Sequence, residues 1–345
     1  MKKKSLVVII LCTFLLNGCG TIDSADIGGE NKSDDTHIEV SVKEGNREEG
    51  PDEDIQMPDR VLYGYEERYD MEELGQDVTG IETPCGMCIW QEKLFVCDYD
   101  NHCIVQLDLQ GKPMSTYGKL GSAEGEFVHP TAMTVWEDKL YVLDSGNLRA
   151  QVYDKDMQLI EVISLWNDQS TVMYDEFRDI AVDGEGNIYV CTDAVMKDAA
   201  RIFCVSKGVT TPLNQVIQGY LAQGRDGTVY AVDAVELSVV EENYKWRACT
   251  GNNYLYQVTK EGVMQLAELP FMYAPMDFVV VEEEFYTVSC TWGQINKISM
   301  EGELLEAVYN LKPDFGPSTG YIVEYNGEFW VGISDNGVIY HFTEK

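Results

Sequence analysis

Basic residues are scarce in this 345-residue chain: 25 Lys+Arg stand against 59 Asp+Glu, a formal net charge of −34. Such a surface repels phosphate polymers, which excludes nucleic-acid binding as a main function and favours basic or cationic partners. Histidine is scarcer still. His37, His102, His129 and His341 are all there are, and their scatter gives no regular histidine set for a metal centre. The chain also lacks a long apolar run. Leu6 to Leu16, interrupted by Thr13, falls short of the roughly 20 residues that span a bilayer. No Ser nucleophile elbow, dinucleotide fingerprint or phosphate loop is present. The glycine-containing stretch from Gly118 to Gly125 leads into a β pattern and does not open a helix.

The N-terminus supplies an address. Met1-Lys2-Lys3-Lys4 precedes the short apolar run, the layout of a secretory signal. Leu16-Asn17-Gly18-Cys19 follows and resembles the bacterial lipobox. The resemblance implies cleavage after residue 18, lipidation of Cys19 with acyl chains such as palmitate, and a cell-membrane location on the extracytoplasmic face. The bilayer is then a partner through Cys19, since several acyl chains give the firm anchoring that one does not. Residues 20–60 carry 13 acidic and 4 basic residues and no aromatic one. A segment of this kind buries too little apolar surface to offset its ordering entropy. It reads as an acidic linker, which leaves three regions: 1–18 signal peptide, 19–60 lipidated cysteine and linker, and 61–345 folded domain.

Self-comparison sets the fold class. Lys93-Leu94-Phe95-Val96-Cys97-Asp98 recurs as Lys139 to Asp144, Asn187 to Thr192, Thr228 to Asp233, Glu284 to Val288 and Glu328 to Gly332. Successive copies lie 46, 48, 41, 56 and 44 residues apart. Each copy has an apolar stretch about ten residues before it and two more after it, separated by Asp, Asn and Gly turns, so each repeat predicts four short strands. A period of roughly 40–50 residues with four strands is the pattern of a β-propeller. The stretch from Gly118 to Asp154, with Gly-Glu-Phe-Val-His-Pro and then Leu-Tyr-Val-Leu-Asp-Ser-Gly-Asn-Leu-Arg, resembles an NHL repeat. That resemblance implies an all-β, six-bladed NHL-like propeller. The last copy lacks an outer strand, and Arg60 to Tyr65 is the expected replacement, with 70–77 a connecting turn or short helix. Pairing the termini in one blade would close the open edges.

Candidate chemistry lies in four places. The run from Asp144 to Arg149 has two readings: ligand or Ca²⁺ contact, or turn chemistry with Arg149 paired to Asp144. Cys85, Cys88, Cys97 and Cys103 fall in one repeat, and their spacing admits a Cys₄ zinc site. Cys97 and Cys191, however, occupy a position that is Leu143 or Val232 in other copies, which favours buried thiols over the zinc site, with disulfides, Cys204, Cys249 and Cys290 included, a further reading. Glu126, Asp179 and Asp277 stand near the starts of strands that line a propeller channel. Finally, the fourth repeat carries an insertion, Ala234 to Asn253, with Tyr244, Trp246 and Arg247, residue types that dominate contact surfaces. The resulting expectation is an anchored propeller that binds an envelope protein, peptide or glycan through Tyr244, Trp246 and Arg247. The alternative is a channel-mouth enzyme. Some NHL-like propellers are metal-dependent lyases, and enzymes on related six-bladed folds hold Ca²⁺ with carboxylates, so the resemblance admits calcium as the cysteine spacing admits zinc, with neither cofactor required.

Overall fold

The structure is a computed structural model that describes residues 68–165, 176–193, 201–217, 219–233, 237–240, 245–248, 253–270, 275–289, 293–311, 320–334 and 337–345. Six four-stranded antiparallel sheets follow one another along the chain. They are the blades of a six-bladed propeller, as the repeat predicts. The inner strands are Pro84–Trp90, Pro130–Trp136, Glu176–Val182, Gly219–Gln223, Pro275–Val281 and Gly320–Tyr325, for blades 1 to 6 in order. Each runs from the same end of its blade, so the six starts define one face of the propeller, called here the mouth.

The repeated phrase forms the second strand of each blade. In blade 2 it reads Lys139–Asp144, with every residue after the lysine buried. Its side chains are apolar on both faces because each face packs on a neighbouring blade. Val96, Val142, Val190, Val232, Val331 and their neighbours fill these junctions. The hairpins joining inner to second strands are two-residue turns in blades 1, 2, 5 and 6. In blades 1, 2 and 6 both central residues have positive φ: Gln91 and Glu92, Glu137 and Asp138, Asn326 and Gly327. That geometry matches the right-handed strand twist. Only Asn326-Gly327 uses the residues that favour it.

Closure differs in detail from the sequence-based expectation. The outer strand of blade 6 is Tyr69–Leu74, paired antiparallel with Val338–Glu344 and in register Met71 to Phe342. Arg60 to Tyr65 lies outside the described residues. A helix occupies only Gln76–Thr79, so 70–77 is not simply a turn. The polar sequence Tyr-Asp-Met-Glu-Glu-Leu conceals the strand because it is an edge: Asp70, Glu72 and Glu73 face outward or half outward. Tyr69 and Leu74 are buried, Tyr69 against the Phe329 ring at 5.8 Å.

Candidate functional site

The start of each inner strand is where the six blades approach one another. In blades 2 to 6 one register position recurs: Ala132 opposite Leu143, Asp179 opposite Cys191, Tyr220 opposite Val232, Asp277 opposite Val288, and Tyr321 opposite Gly332. Blade 1 brings Gly86 to this level. Its backbone presses on blade 2 so closely that a Cβ there would lie 2.4 Å from the Ala132 Cα. The Tyr220 and Tyr321 rings meet edge to face at 6.4 Å. Blades 4 and 6 are not neighbours, so this contact crosses the channel. At the opposite end Gln223, the last residue of its inner strand, accepts a hydrogen bond from the Val182 N–H at 2.9 Å. It also donates to the Val135 carbonyl at 3.2 Å. Blades 2, 3 and 4 are thus tied together below the mouth.

Asp179 and Asp277 repeat one local design. Each follows a bulge in its inner strand, between Phe177 and Asp179 in blade 3 and between Pro275 and Asp277 in blade 5. One Asp179 oxygen accepts the Ile180 N–H and the other accepts the Leu221 N–H of blade 4, both at 2.8 Å. Asp277 accepts the Phe278 N–H at 2.8 Å and the Ile322 N–H of blade 6 at 2.9 Å. Both residues keep partial exposure, yet removal of their carboxyls from bulk water dominates their chemistry. Burial pushes Asp179 up to about 7, against the lowering effect of the two N–H bonds and of Arg178. Burial, and then the charge of Asp179, hold Asp277 well above the ordinary carboxylate range. Like charges in a desolvated site cannot both ionise easily, so the pair titrates as a unit and retains a proton near neutrality.

Arg178 is the extra residue of the blade-3 bulge. Bulges re-aim side chains and cluster beside active sites. Its guanidinium lies over the Tyr220 ring, 5.2 Å from the centroid. Tyr321 stands within reach of the same charges. Burial first, then Cys85 and Tyr220, raise its phenol well above the ordinary value, while Arg178 acts to lower it. The mouth therefore combines two proton-holding carboxyls, two phenols, a thiol and a guanidinium.

The other sequence-based candidates separate from this cluster. Glu126 belongs to the loop before blade 2, where its carboxylate accepts the Ala123 N–H and pairs with Lys119. It braces that loop and is no part of the channel. Asp144, fully buried, accepts the Val128 N–H and the Arg149 Nε–H, at 2.8 and 2.7 Å. Arg149 also donates to the carbonyls of Ser122, Ala123 and Glu126. The run from Asp144 to Arg149 is thus an internal brace between loop and blade, the turn-chemistry reading. His129 stacks on Tyr99 and His102 lies tilted against His129, between blades 1 and 2, and His341 stacks on Trp330.

Cys85, Cys88, Cys97 and Cys103 are buried free thiols, as are Cys191 and Cys204. Burial raises Cys88 and Cys97 above the ordinary thiol range, and Cys103 to about 11. No group of three or more His, Cys, Asp or Glu among the described residues is arranged to hold a metal ion. The Asp179–Asp277 pair supplies only two carboxylates, and among the described residues no third acidic or imidazole donor joins them. Cys249, Cys290 and Tyr244 lie outside the described residues. Trp246 and Arg247 pair with Val239 and Ser238 in a small hairpin, Leu237–Val240 with Lys245–Ala248. It connects the second and third strands of blade 4 at their mouth end.

Sequence reasoning reached Asp179 and Asp277 but missed Arg178, Tyr220 and Tyr321. Alignment of the six copies at the start of the inner strand, rather than at the second strand, holds the signal: there Asp179, Tyr220, Asp277 and Tyr321 stand where blades 1 and 2 carry Gly86 and Ala132.

No family model matches the chain, and no curated protein matches it by sequence. Its likeness is to solved structures. A gluconolactonase from Xanthomonas campestris aligns with a TM-score of 0.57 and 12% identity over 85% of this chain and 96% of that one. Virginiamycin B lyase from Staphylococcus aureus gives 0.51 and 12%, covering 80% and 99%. The calcium-binding protein regucalcin from Agrobacterium tumefaciens gives 0.54 and 12%, covering 76% and 90%. At such identities the likeness establishes a shared six-bladed propeller fold, one on which lyases and lactonases are built.

Proposed function

We propose that the propeller is an enzyme working by general acid–base chemistry at the channel mouth, on an ester- or lactone-type small molecule. The observation that carries this is the Asp179–Asp277 pair: two desolvated carboxyls at the starts of the inner strands of blades 3 and 5, each held above the ordinary carboxylate range, with the charge of Asp179 adding to the effect of burial on Asp277. Paired titratable groups pushed away from their ordinary values supply an acid and a base at one pH. In hydrolysis of a lactone, water adds to the carbonyl carbon while the ionised carboxylate takes its proton. The Arg178 guanidinium and the Tyr321 hydroxyl face the negative charge that develops on the carbonyl oxygen. The ring C–O bond then breaks, and the protonated carboxyl gives its proton to the leaving oxygen. The product is the hydroxy acid, and the pair is reset when its proton redistributes.

The test is turnover of a panel of γ- and δ-lactones by the whole chain, followed by acid release. Expected are a pH–rate profile with a limb near 7 and its loss in Asp179→Asn and Asp277→Asn. Equal rates for wild type and both variants would remove the pair from the mechanism.

A second reading, binding of an envelope protein, peptide or glycan, draws support from the hairpin that carries Trp246 and Arg247 on the mouth side of blade 4. Binding that Trp246→Ala abolishes, with no turnover of any substrate, would favour it. The lipobox-like leader supports anchoring through Cys19 at the extracytoplasmic face of the membrane. Incorporation of labelled palmitate, lost in Cys19→Ser, tests this. Among the described residues no helix is long and apolar enough to cross a membrane.

A further inference from the structure

We infer that Thr131 and Ser145, two buried hydroxyl-bearing residues of blade 2, are positioning residues for the channel mouth: they grip the main chain of Phe177 and so set the bulge that carries Arg178 and Asp179. The inference rests on the acid–base reading above and goes beyond it by naming what holds one member of the pair in place.

The sequence shows why blade 3 needs such a grip. Four inner strands bulge near their starts, and the residue before the irregularity is Pro84 in blade 1, Pro130 in blade 2, Phe177 in blade 3 and Pro275 in blade 5. A proline has no N–H to satisfy, and its ring fixes φ where the strand leaves the regular ladder. Phe177 has neither property. Its buried N–H needs an acceptor, and its backbone must be held from outside. Blade 2 supplies both. The Phe177 N–H donates to the Ser145 Oγ at 2.9 Å, and the Thr131 Oγ1 donates to the Phe177 carbonyl at 2.9 Å. Ser145 and Phe177 are 1% exposed and Thr131 5%, so no bulk water stands by to replace either bond. Thr131 is itself the bulge residue of blade 2, the counterpart of Arg178. Blade 1 backs it: a Cβ on Gly86 would lie 2.6 Å from the Thr131 carbonyl oxygen. Gly86 thus presses on Thr131, Thr131 and Ser145 hold Phe177, and Asp179 accepts the Leu221 N–H of blade 4.

What the grip controls is the setting of the Asp179 carboxyl. Burial is the main cause that raises it, to about 7. A bulge free to relax admits water and lets the carboxyl ionise at lower pH. The groups around Asp179 are Arg178 on its own strand, Cys191 opposite it on the second strand, and Tyr220, Asp277 and Tyr321 at the same level of blades 4, 5 and 6. Removal of the two hydroxyls alters none of them. A mere adhesive between blades 2 and 3 would, when cut, lower stability and leave the titration of Asp179 where it is.

The experiment is an NMR titration of the aspartate carboxyl carbons in the whole chain, with Asp179→Asn to assign the resonance, beside the pH dependence of lactone turnover. Thr131→Val and Ser145→Ala, singly and together, remove the hydroxyls, and Thr131→Ser keeps one. Circular dichroism shows which variants are folded. Expected is an Asp179 resonance that titrates near 7 in the wild type. In the double variant it should titrate about one pH unit lower or more, with each single variant between and Thr131→Ser close to wild type. Turnover should follow: the limb of the pH–rate profile moves the same way, and kcat falls about tenfold or more while KM changes little. An Asp179 titration unchanged in either folded single variant would overturn the inference for that residue, whether or not the double variant folds. Thr131→Ser behaving as Thr131→Val would overturn it too, since the hydroxyl would then not be the agent. The two readings fail separately. A carboxyl titration that the variants move, without turnover of any lactone, sinks the acid–base enzyme alone. Lactone turnover that needs Asp179 and Asp277, with titration and rate indifferent to the loss of both hydroxyls, sinks the positioning role alone.

Discussion

Replacing both channel carboxyls, Asp179→Asn with Asp277→Asn, should change how stability depends on pH more than it changes stability itself. A carboxyl raised in the folded state holds a proton that the unfolded chain releases. Where the folded state binds more protons, unfolding free energy falls as pH rises. For Asp179 the window runs from the ordinary value of 3.8 to about 7. At about 1.4 kcal/mol per pH unit, that window corresponds to roughly 4 kcal/mol of stability lost on going from acid to neutral pH. Asp277 adds to it in the same direction. Other carboxylates act oppositely: Asp183, Asp226, Glu126 and Glu185 are lowered by their hydrogen bonds and ion pairs. Their slope lies below about pH 4.5 and is shared by wild type and variant, as is that of His129. The amide replacements have their own cost, because each Asn offers one acceptor oxygen where the carboxylate offered two. The orphaned N–H on each side costs about 1–3 kcal/mol, independent of pH. Urea unfolding from pH 4.5 to 8 should therefore show the double variant clearly weaker at pH 4.5, with the gap closing by pH 8 by about 3 kcal/mol through Asp179 alone and further through Asp277. A gap constant within about 1 kcal/mol across that range would refute the claim that the pair holds a proton in the folded protein.

Four further outcomes follow from the same geometry. Arg149→Met strands the fully buried Asp144 carboxylate and three carbonyls, and should lower unfolding free energy by about 3–5 kcal/mol; a loss under about 1 kcal/mol in denaturant titration would contradict the brace. Glu137→Asn with Asp138→Gly puts residues suited to positive φ into an exposed turn, and should raise stability by about 1 kcal/mol by the same assay. Gly86→Ala drives a Cβ to 2.4 Å from the Ala132 Cα, and should cost about 1–3 kcal/mol as blades 1 and 2 are forced apart. Cys88, Cys97 and Cys191, buried as thiols, should escape iodoacetamide in the native protein and react fully in denaturant; peptide mapping reads this, and native labelling of Cys97 would contradict its burial.

The blade count and strand order were legible because the second strand is squeezed on both faces. Val142 and Val232 are buried in blade junctions where apolar residues dominate, so the phrase is recognisable in all six copies although blade 5 carries Thr287 at the Val142 position. The closing strand was harder to see. Tyr69–Leu74 packs on one side only, and its charged residues face water, so composition resembles a loop. The cysteines were legible as a cluster: Cys85, Cys88, Cys97 and Cys103 lie in one blade and are buried, and among the described residues no group of three or more His, Cys, Asp or Glu is arranged to hold a metal ion.

The channel position explains where function can enter a repeat of this kind. Second and third strands are confined between neighbouring blades, so most positions there are apolar, and the polar exceptions such as Gln151, Thr287 and Asn296 are buried. The inner strand's starting end meets only the corresponding ends of other blades, across a narrow axis. Substitution at that level is limited by mutual fit among six residues and not by the repeat. Gly86 and Ala132 pack blades 1 and 2 tightly, which leaves the larger Asp179, Tyr220, Asp277 and Tyr321 to meet across the remaining space. The bulges before Asp179 and Asp277 then let each carboxyl reach the N–H of the next blade while staying in the channel. One arrangement thus stitches blades 3 to 4 and 5 to 6 and brings two acids together. The energetic consequence is specific: the stitches hold the pair in place although its proximity and desolvation disfavour the charged state. A purely structural stitch needs no second acid across the channel; its presence is the feature that turns blade adhesion into a proton-holding site.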